Sequence, residues 1–438
     1  MMITDPLIFA ATSDFAGKTR GKAFPARDLE RRQARGVGWV PTNVQITCFD
    51  TIAQSPFGSV GDLLLVPDPD AAVTLDFRDG TPVERFMLGD IRTLEGAPWD
   101  LCTRSILKAA LERLKRVGGV DLVAAFEHEF QLSRLDGRRG EAFELGAFSR
   151  MRALGESLMA AIAQAGLKPD TFMREYGADQ YEVTVAPDPA LRAADGAVIL
   201  REVVRLVAAR HGEHATFSPI RDPAGVGNGV HIHLSFLDRA GKPATYDERG
   251  PGGMSAVTAS FAAGILRHLP GIIALTAPSA ISYLRLTPHR WSAAFNNLGE
   301  RDREASLRIC PVTSLDPDAK ARQYNIEFRA ADACASPYLA LAAIVHAGAQ
   351  GIEEGLSAPE ICAEDLSLLD ERQLRTRGYV RLPQSLEEAL ERFAADETVR
   401  GFFSEQFADV YVAHKRGELA AVADLPVAEK CKAYEAIY

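Results

Sequence analysis

Glu127 and Glu129 stand two residues apart in Ala124-Ala125-Phe126-Glu127-His128-Glu129-Phe130, an otherwise apolar run. Such a run predicts a strand, and a period of two puts both acids on one face. Carboxylates held that close repel each other, and burial adds to the penalty. A positive partner is therefore required, and a divalent cation is the usual one. A lone Glu-x-Glu is ordinarily a solvated strand face, but this one has company.

Glu175 and Glu182 flank a Gly-containing turn in Arg174-Glu175-Tyr176-Gly177-Ala178-Asp179-Gln180-Tyr181-Glu182-Val183, as a hairpin would place them. His231 and His233 follow a glycine-rich stretch in Gly225-Val226-Gly227-Asn228-Gly229-Val230-His231-Ile232-His233-Leu234-Ser235, again a strand pattern with both imidazoles on one face. Glu327 sits in Asn325-Ile326-Glu327-Phe328-Arg329. Carboxylate oxygens with an imidazole suit Mg²⁺ or Mn²⁺ better than Zn²⁺. No Cys is expected among these groups.

The elements that must position them belong to a chain of 438 residues, long enough for two or more domains. A hydrophobic content of 47% with 25% charged residues describes an ordinary folded protein and excludes a disordered one. A net charge of −10 argues against a nucleic-acid partner. No uninterrupted apolar stretch reaches the length of a membrane span, and the N-terminus lacks a signal-peptide pattern. The six cysteines are scattered, which fits reduced thiols and a cytoplasmic location.

Residues 8 to 83 alternate short apolar runs with Gly, Pro and Asp. Val44–Phe49, Leu63–Val66 and Ala72–Phe77 read as strands, and Pro67-Asp68-Pro69-Asp70 as a turn between the last two. A helical pattern starts near Ser105, so a boundary near residue 100 is predicted. Amphipathic helices are predicted near 147–165, 189–210, 337–354 and 385–396, with the acid- and His-bearing strands between them. Residues 356–382 read as a long surface excursion.

These motifs together resemble the glutamine synthetase superfamily of ATP-dependent carboxylate–amine ligases, in its bacterial type I form. The resemblance covers nearly the whole chain. It rests on Asp62–Pro69, the Glu-x-Glu, the Glu-x₆-Glu around Gly177, Ala215-Thr216-Phe217-Ser218-Pro219 and the His-x-His-x-Ser. Ser282-Tyr283-Leu284-Arg285-Leu286-Thr287-Pro288, Glu327-Phe328-Arg329 and Ser336-Pro337-Tyr338 complete the set. Their order and spacing are specific together; none is alone.

The resemblance implies an α+β fold: an N-terminal β-grasp domain over 1–100, and over 101–438 a catalytic domain of a curved antiparallel sheet with helices. It implies a homododecamer of two stacked hexameric rings, with active sites between subunits. ATP and two Mg²⁺ or Mn²⁺ ions are the implied cofactors. Glu129, Glu175 and Glu182 match ligands of the cation near the amino-acid substrate; Glu127, His231 and Glu327 match those of the cation bridging the ATP phosphates. Arg303 and Arg308 match phosphate-binding arginines, and His233 and Ser235 nucleotide contacts. Arg285 and Arg329 match arginines that hold substrate carboxylates, a task suited to a planar two-pronged donor. Gly227 matches a backbone contact to the same substrate, and Asp50 an amine-deprotonating Asp contributed across the interface.

The departures from the family pattern cluster around the substrates. Trp291, in Pro288-His289-Arg290-Trp291-Ser292, stands where glutamine synthetases carry a flap Glu that binds ammonium and takes its proton. Tryptophan can do neither. Val226 replaces an Asn, Asp302-Arg303-Glu304 replaces Asn-Arg-Ser, Ser367 falls at the adenylylated Tyr, and Asp50 lacks its usual Gly-Ser-Ser context. Metal and phosphate machinery is spared. Three readings follow. A ligase joining glutamate to an organic amine is favoured, with Trp291 stacking on the acceptor or serving only as a lid. The others are a glutamine synthetase using ammonia and a non-catalytic oligomer.

Overall fold

The protein is represented by a computed structural model that describes residues 3–133 and 141–438. Two sheets organise it. The first contains β1 (Leu7–Ser13), β2 (Thr19–Pro25), β3 (Val37–Trp39), β4 (Leu63–Leu75) and β5 (Glu84–Arg92), in the order β2-β1-β5-β4-β3. Its central pair, β1 and β5, is parallel, and the remaining pairs are antiparallel. With helix Leu29–Arg35 between β2 and β3, this is the arrangement of a β-grasp.

Two strand expectations in this part need correction. Residues 63–75 form one continuous strand, and Pro67–Asp70 is not a turn. The register against β5 shifts between Pro67 and Ala72, a bulge that accommodates two prolines unable to donate to a ladder. Val44–Phe49 is not a strand either. Pro41–Gln45 is a 3₁₀ turn, and the chain then folds back so that Ile46 bridges Ile52. Its polar groups bond to helix Phe407–Ala421 rather than to a neighbouring strand: Gln45 Nε2 donates to Val410 O at 3.1 Å, and Cys48 N to Glu418 Oε1 at 3.2 Å.

The second sheet comprises β6 (Val120–Leu132), β7 (Pro169–Arg174), β8 (Gln180–Val185), β9 (Asp188–Pro189), β10 (Ala215–Thr216), β11 (Val230–Asp238), β12 (Leu298–Glu300), β13 (Leu307–Ile309), β14 (Ile326–Phe328) and β15 (Ile361–Cys362). Its path is β15-β12-β13-β14-β11-β6-β8-β7, with β9 and β10 also pairing with β6. From β13 to β7 every neighbour is antiparallel; β12 is parallel to both β13 and β15. The four predicted helices are present as Leu145–Gln164, Ala190–Arg210, Pro337–Glu353 and Leu386–Ala395. Residues 356–382 carry more structure than their sequence announces. They supply β15, helix Glu371–Thr376 with its capping box, and a small core in which Leu366, Leu374 and Tyr379 pack on Phe295.

Helix Ala256–Thr276 is long and apolar enough to pass for a membrane span by length and composition, yet Arg267 and His268 interrupt it and 67% of its most apolar window is buried inside the protein. It lies against Pro337–Glu353 so closely that a Cβ at Gly264 would stand 2.2 Å from Ala347 O. All six cysteines are free and buried.

Arg104 ties the first sheet to helix Ala190–Arg210. It lies in the first turn of helix Thr103–Gly118 and is almost fully buried. Its guanidinium grips Asp195 with two nitrogens at 2.8 and 2.9 Å, Asp90 of β5 at 3.0 Å and Asp68 of β4 at 2.9 Å. Removing one member of such a group strands the remaining charges in a dry interior. Arg104→Ala should lower unfolding free energy by about 3–5 kcal/mol in denaturant titration. A loss under about 1 kcal/mol, the level of a surface pair, would contradict this account of the junction.

Candidate active site

Strand register assembles the site. Glu127 lies opposite His231 and Glu129 opposite Glu182. His233 lies opposite Glu327, and Glu327 opposite Arg308. Because alternate residues share a face, one side of β13-β14-β11-β6-β8 carries an unbroken band of these groups. Ser235 continues that face of β11, opposite Val123. His128, between the two acids, points the other way against Phe126 and Phe217. Burial, aided by Arg201, pushes its pKa down to about 3, so it is a neutral core residue.

The band has two tight foci. Ligand atoms of Glu127, Glu182 and His231 lie within 4.8 Å of one another, as do those of Glu127, His233 and Glu327. His233 Nε2 is 3.0 Å from Glu127 Oε1, while His231 Nδ1 is 3.6 Å from Glu127 Oε2 and 3.5 Å from Glu327 Oε1. Glu129 stands beside these foci, where Gly229 N and Gln180 Nε2 donate to its Oε2 at 2.8 and 3.0 Å. Glu175 ends the hairpin and takes a bond from Tyr176 N at 3.2 Å. The distances thus group Glu182 with Glu127 and His231, whereas the resemblance groups it with Glu129 and Glu175.

The electrostatics separate these acids. Burial raises Glu129 to about 7, with Glu175 adding to the effect. Burial and the charges of Glu127, Glu129 and Glu175 push Glu182 up to about 9. Burial also pushes on Glu127, but hydrogen bonds from His231 and His233 outweigh it and hold Glu127 well below the carboxylate range. Such a band is deficient in positive charge at the Glu129–Glu182 end. Oxygen-rich donors with imidazole there fit a hard dication.

Arginines rim the band. Arg308 Nη1 is 2.7 Å from Glu327 Oε2, and Arg329 Nη1 binds the other oxygen. Arg329 Nε also donates to Arg303 O at 3.0 Å, which brings the exposed Arg303 alongside. Arg285 is buried; it donates to Ser292 Oγ at 3.0 Å and to Ala331 O, leaving its Nε without a partner among the described residues. Gly227 packs on Arg285, where a Cβ would meet Arg285 Cδ at 2.7 Å and Pro219 O at 2.7 Å, so no larger residue fits. Trp291 is 57% exposed, and its ring lies 5.5 Å from that of Tyr176. Asp50 is held apart from the band: its carboxylate pairs with Arg20 at 2.8 Å on the loop between Ile46 and Ile52, and is 67% exposed.

Other members of the site were not singled out from sequence. A thiol does join it: Cys310 Sγ is 3.5 Å from Glu327 Oε2 and 3.7 Å from His233 Nδ1. The signal was available, since Cys310 follows Arg308 by two residues and shares its face. Gln180 Nε2 reaches Glu129, Gly227 O and Asn228 Oδ1 within 3.0 Å and so locks the hairpin to the glycine-rich stretch.

The sequence profile of the glutamine synthetase N-terminal domain matches residues 4–99, and that of the catalytic domain residues 100–434. A gamma-glutamylpolyamine synthetase, GlnA3, of Streptomyces coelicolor is 35% identical over 431 residues, covering 95% of this chain and 90% of the relative. A glutamine synthetase of Thermococcus kodakarensis is 31% identical, over 90% of this chain and 85% of its own. A crystal structure described as a novel glutamine synthase homolog superposes with a TM-score of 0.91 at 42% identity over the whole of both chains. Apo GmaS superposes with a TM-score of 0.81 at 26% identity, over 97% of this chain and 96% of that one. Strand order, the acidic band and these likenesses agree: the chain belongs to the glutamine synthetase family.

Proposed function

We propose that the protein is an ATP-dependent ligase that activates the side-chain carboxylate of glutamate as an acyl phosphate and transfers the acyl group to an organic amine. The band of five glutamates and two histidines on one sheet face, rimmed by four arginines, carries this reading. Its charge suits phosphoryl transfer, a step achieved by positioning and neutralisation. Family members use ATP and divalent cations. Here Glu129, Glu175 and Glu182 would hold one cation and Glu127, His231 and Glu327 another. Bound Mg²⁺ or Mn²⁺ would neutralise phosphate charge and polarise the reacting oxygens. Arg303 and Arg308 meet the phosphates, His233 and Ser235 the nucleotide. Arg285, with its free Nε, Arg329 and Gly227 orient glutamate.

The acceptor side distinguishes this chain from a glutamine synthetase. Trp291 presents an indole beside the Tyr176 ring where an ammonium-binding carboxylate would be needed. An aromatic surface favours an organic ammonium through hydrophobic and cation–π contact. The polyamine specificity named for the Streptomyces relative supports this reading. Asp50, 67% exposed on its own chain's surface, would take the amine's proton in a neighbouring subunit's site once released from Arg20. This requires a homo-oligomer, which we take to be stacked hexameric rings. The free buried thiols accord with a cytoplasmic location.

Phosphate release with glutamate, Mg²⁺ and a panel of amines tests the proposal. Release with at least one organic amine should exceed release with ammonium by about tenfold or more. Ammonium alone would identify a glutamine synthetase, and silence throughout a non-catalytic relative. Glu129→Ala should reduce turnover by at least about 10²-fold, and Trp291→Glu should raise ammonium-dependent turnover. An unchanged amine preference in Trp291→Glu would refute the role given to the flap.

The raised acids set the pH dependence. A carboxyl whose folded pKa lies above its unfolded value destabilises the fold at pH above the folded pKa, and the penalty vanishes below the unfolded one. For Glu129 and Glu182 it builds between about 4.5 and 9. Mg²⁺ binds the ionised form and offsets it. The Mg²⁺-induced rise in melting temperature should therefore be larger at pH 9 than at pH 6; equal or reversed shifts would contradict this.

A further inference from the structure

We infer that Glu304 is the positioning residue that fixes the flap around Trp291 and thereby sets the acceptor-amine site. The inference deepens the amine-ligase reading and rests on it for the identity of the acceptor.

His289 and Trp291 both have left-handed backbones, with φ of 62° and 54°. Side chains of this size rarely adopt that region, and such strain persists only where neighbours over-determine it. Glu304 supplies the determination. Its Oε2 accepts from His289 N at 3.0 Å and its Oε1 from Trp291 N at 3.1 Å. One carboxylate thus clamps the two strained peptides on either side of Arg290. The clamp is itself anchored: Glu304 N donates to Asp302 Oδ1 at 2.9 Å, and Arg329 bonds both Arg303 O at 3.0 Å and Trp291 O at 3.3 Å.

The consequence is the direction of the indole. Held this way, Trp291 lies over Tyr176, the residue after Glu175, and Tyr176 in turn meets Phe143 with ring centroids 5.2 Å apart. The three rings are all more than half exposed and form one aromatic wall beside the acidic band. An alkylammonium acceptor finds ring faces there and carboxylate charge behind them. Two departures from the family pattern are then one device: the acid that leaves the flap at position 291 is accompanied by an acid at 304 that holds the replacement in place.

The test uses the full-length protein. Trp39 and Trp99 are 5% and 8% exposed, so acrylamide quenching reports on Trp291. Glu304→Ala should raise the KM for the preferred amine by about tenfold or more and alter that quenching. Glutamate-dependent phosphate release without amine should stay within about twofold, which also shows that the variant folds. Glu304→Gln, keeping one acceptor oxygen, should fall between. In Trp291→Phe the further change Glu304→Ala should add little, because both act on one element. Unchanged quenching and KM in Glu304→Ala, or fully additive losses in the double variant, would overturn the inference. An enzyme that uses no organic amine yet shows the quenching change would instead refute the acceptor reading and leave the clamp standing.

Discussion

Mutual repulsion among acids on a single sheet face is the constraint on which this structure turns. Glu127, Glu129, Glu175, Glu182 and Glu327 are drawn together by strand pairing, and their charges must be met. At one end protein cations meet them, through Arg308, Arg329 and the His233 imidazole around Glu327 and Glu127. At the other end they are not met, and burial together with the neighbouring acids raises the pKa values of Glu129 and Glu182. A fold gains nothing by keeping such an arrangement unless something from solution completes it.

The rest of the architecture serves to hold that face rigid. β6 and β11 lie at the centre of the sheet and each carries its groups at alternate positions. Behind them, helices Ala190–Arg210 and Thr103–Gly118 pack on β6, and the apolar pair Ala256–Thr276 and Pro337–Glu353 extends the same core. Arg104 couples this body to the first sheet through three aspartates. That sheet carries the loop with Asp50, whose carboxylate faces outward rather than into its own chain's band.

Much of this was legible in the sequence because strand periodicity is simple. Glu-x-Glu and His-x-His fix faces without any knowledge of partners, and the hairpin around Gly177 brings Glu175 and Glu182 to one end. What was not legible depended on register and on tertiary override. Periodicity puts Cys310 on the face of Arg308, but nothing local says that its thiol will reach His233, or that Gln180 will reach three acceptors at once. Two prolines in β4 read as a turn because they cannot donate, while the bulge that absorbs them is a property of the pair with β5. Val44–Phe49 has strand composition, yet helix Phe407–Ala421 satisfies its polar groups. The core helix at 256–276 is as apolar as a span because most of its surface is buried inside the protein.

The most direct test of the central claim is a count of cations. Free Mn²⁺ followed by electron paramagnetic resonance, with ADP present, should show about two tightly bound ions per chain, with binding weakened in Glu129→Ala and Glu327→Ala. Absence of tight Mn²⁺ binding, or binding indifferent to both substitutions, would contradict the account.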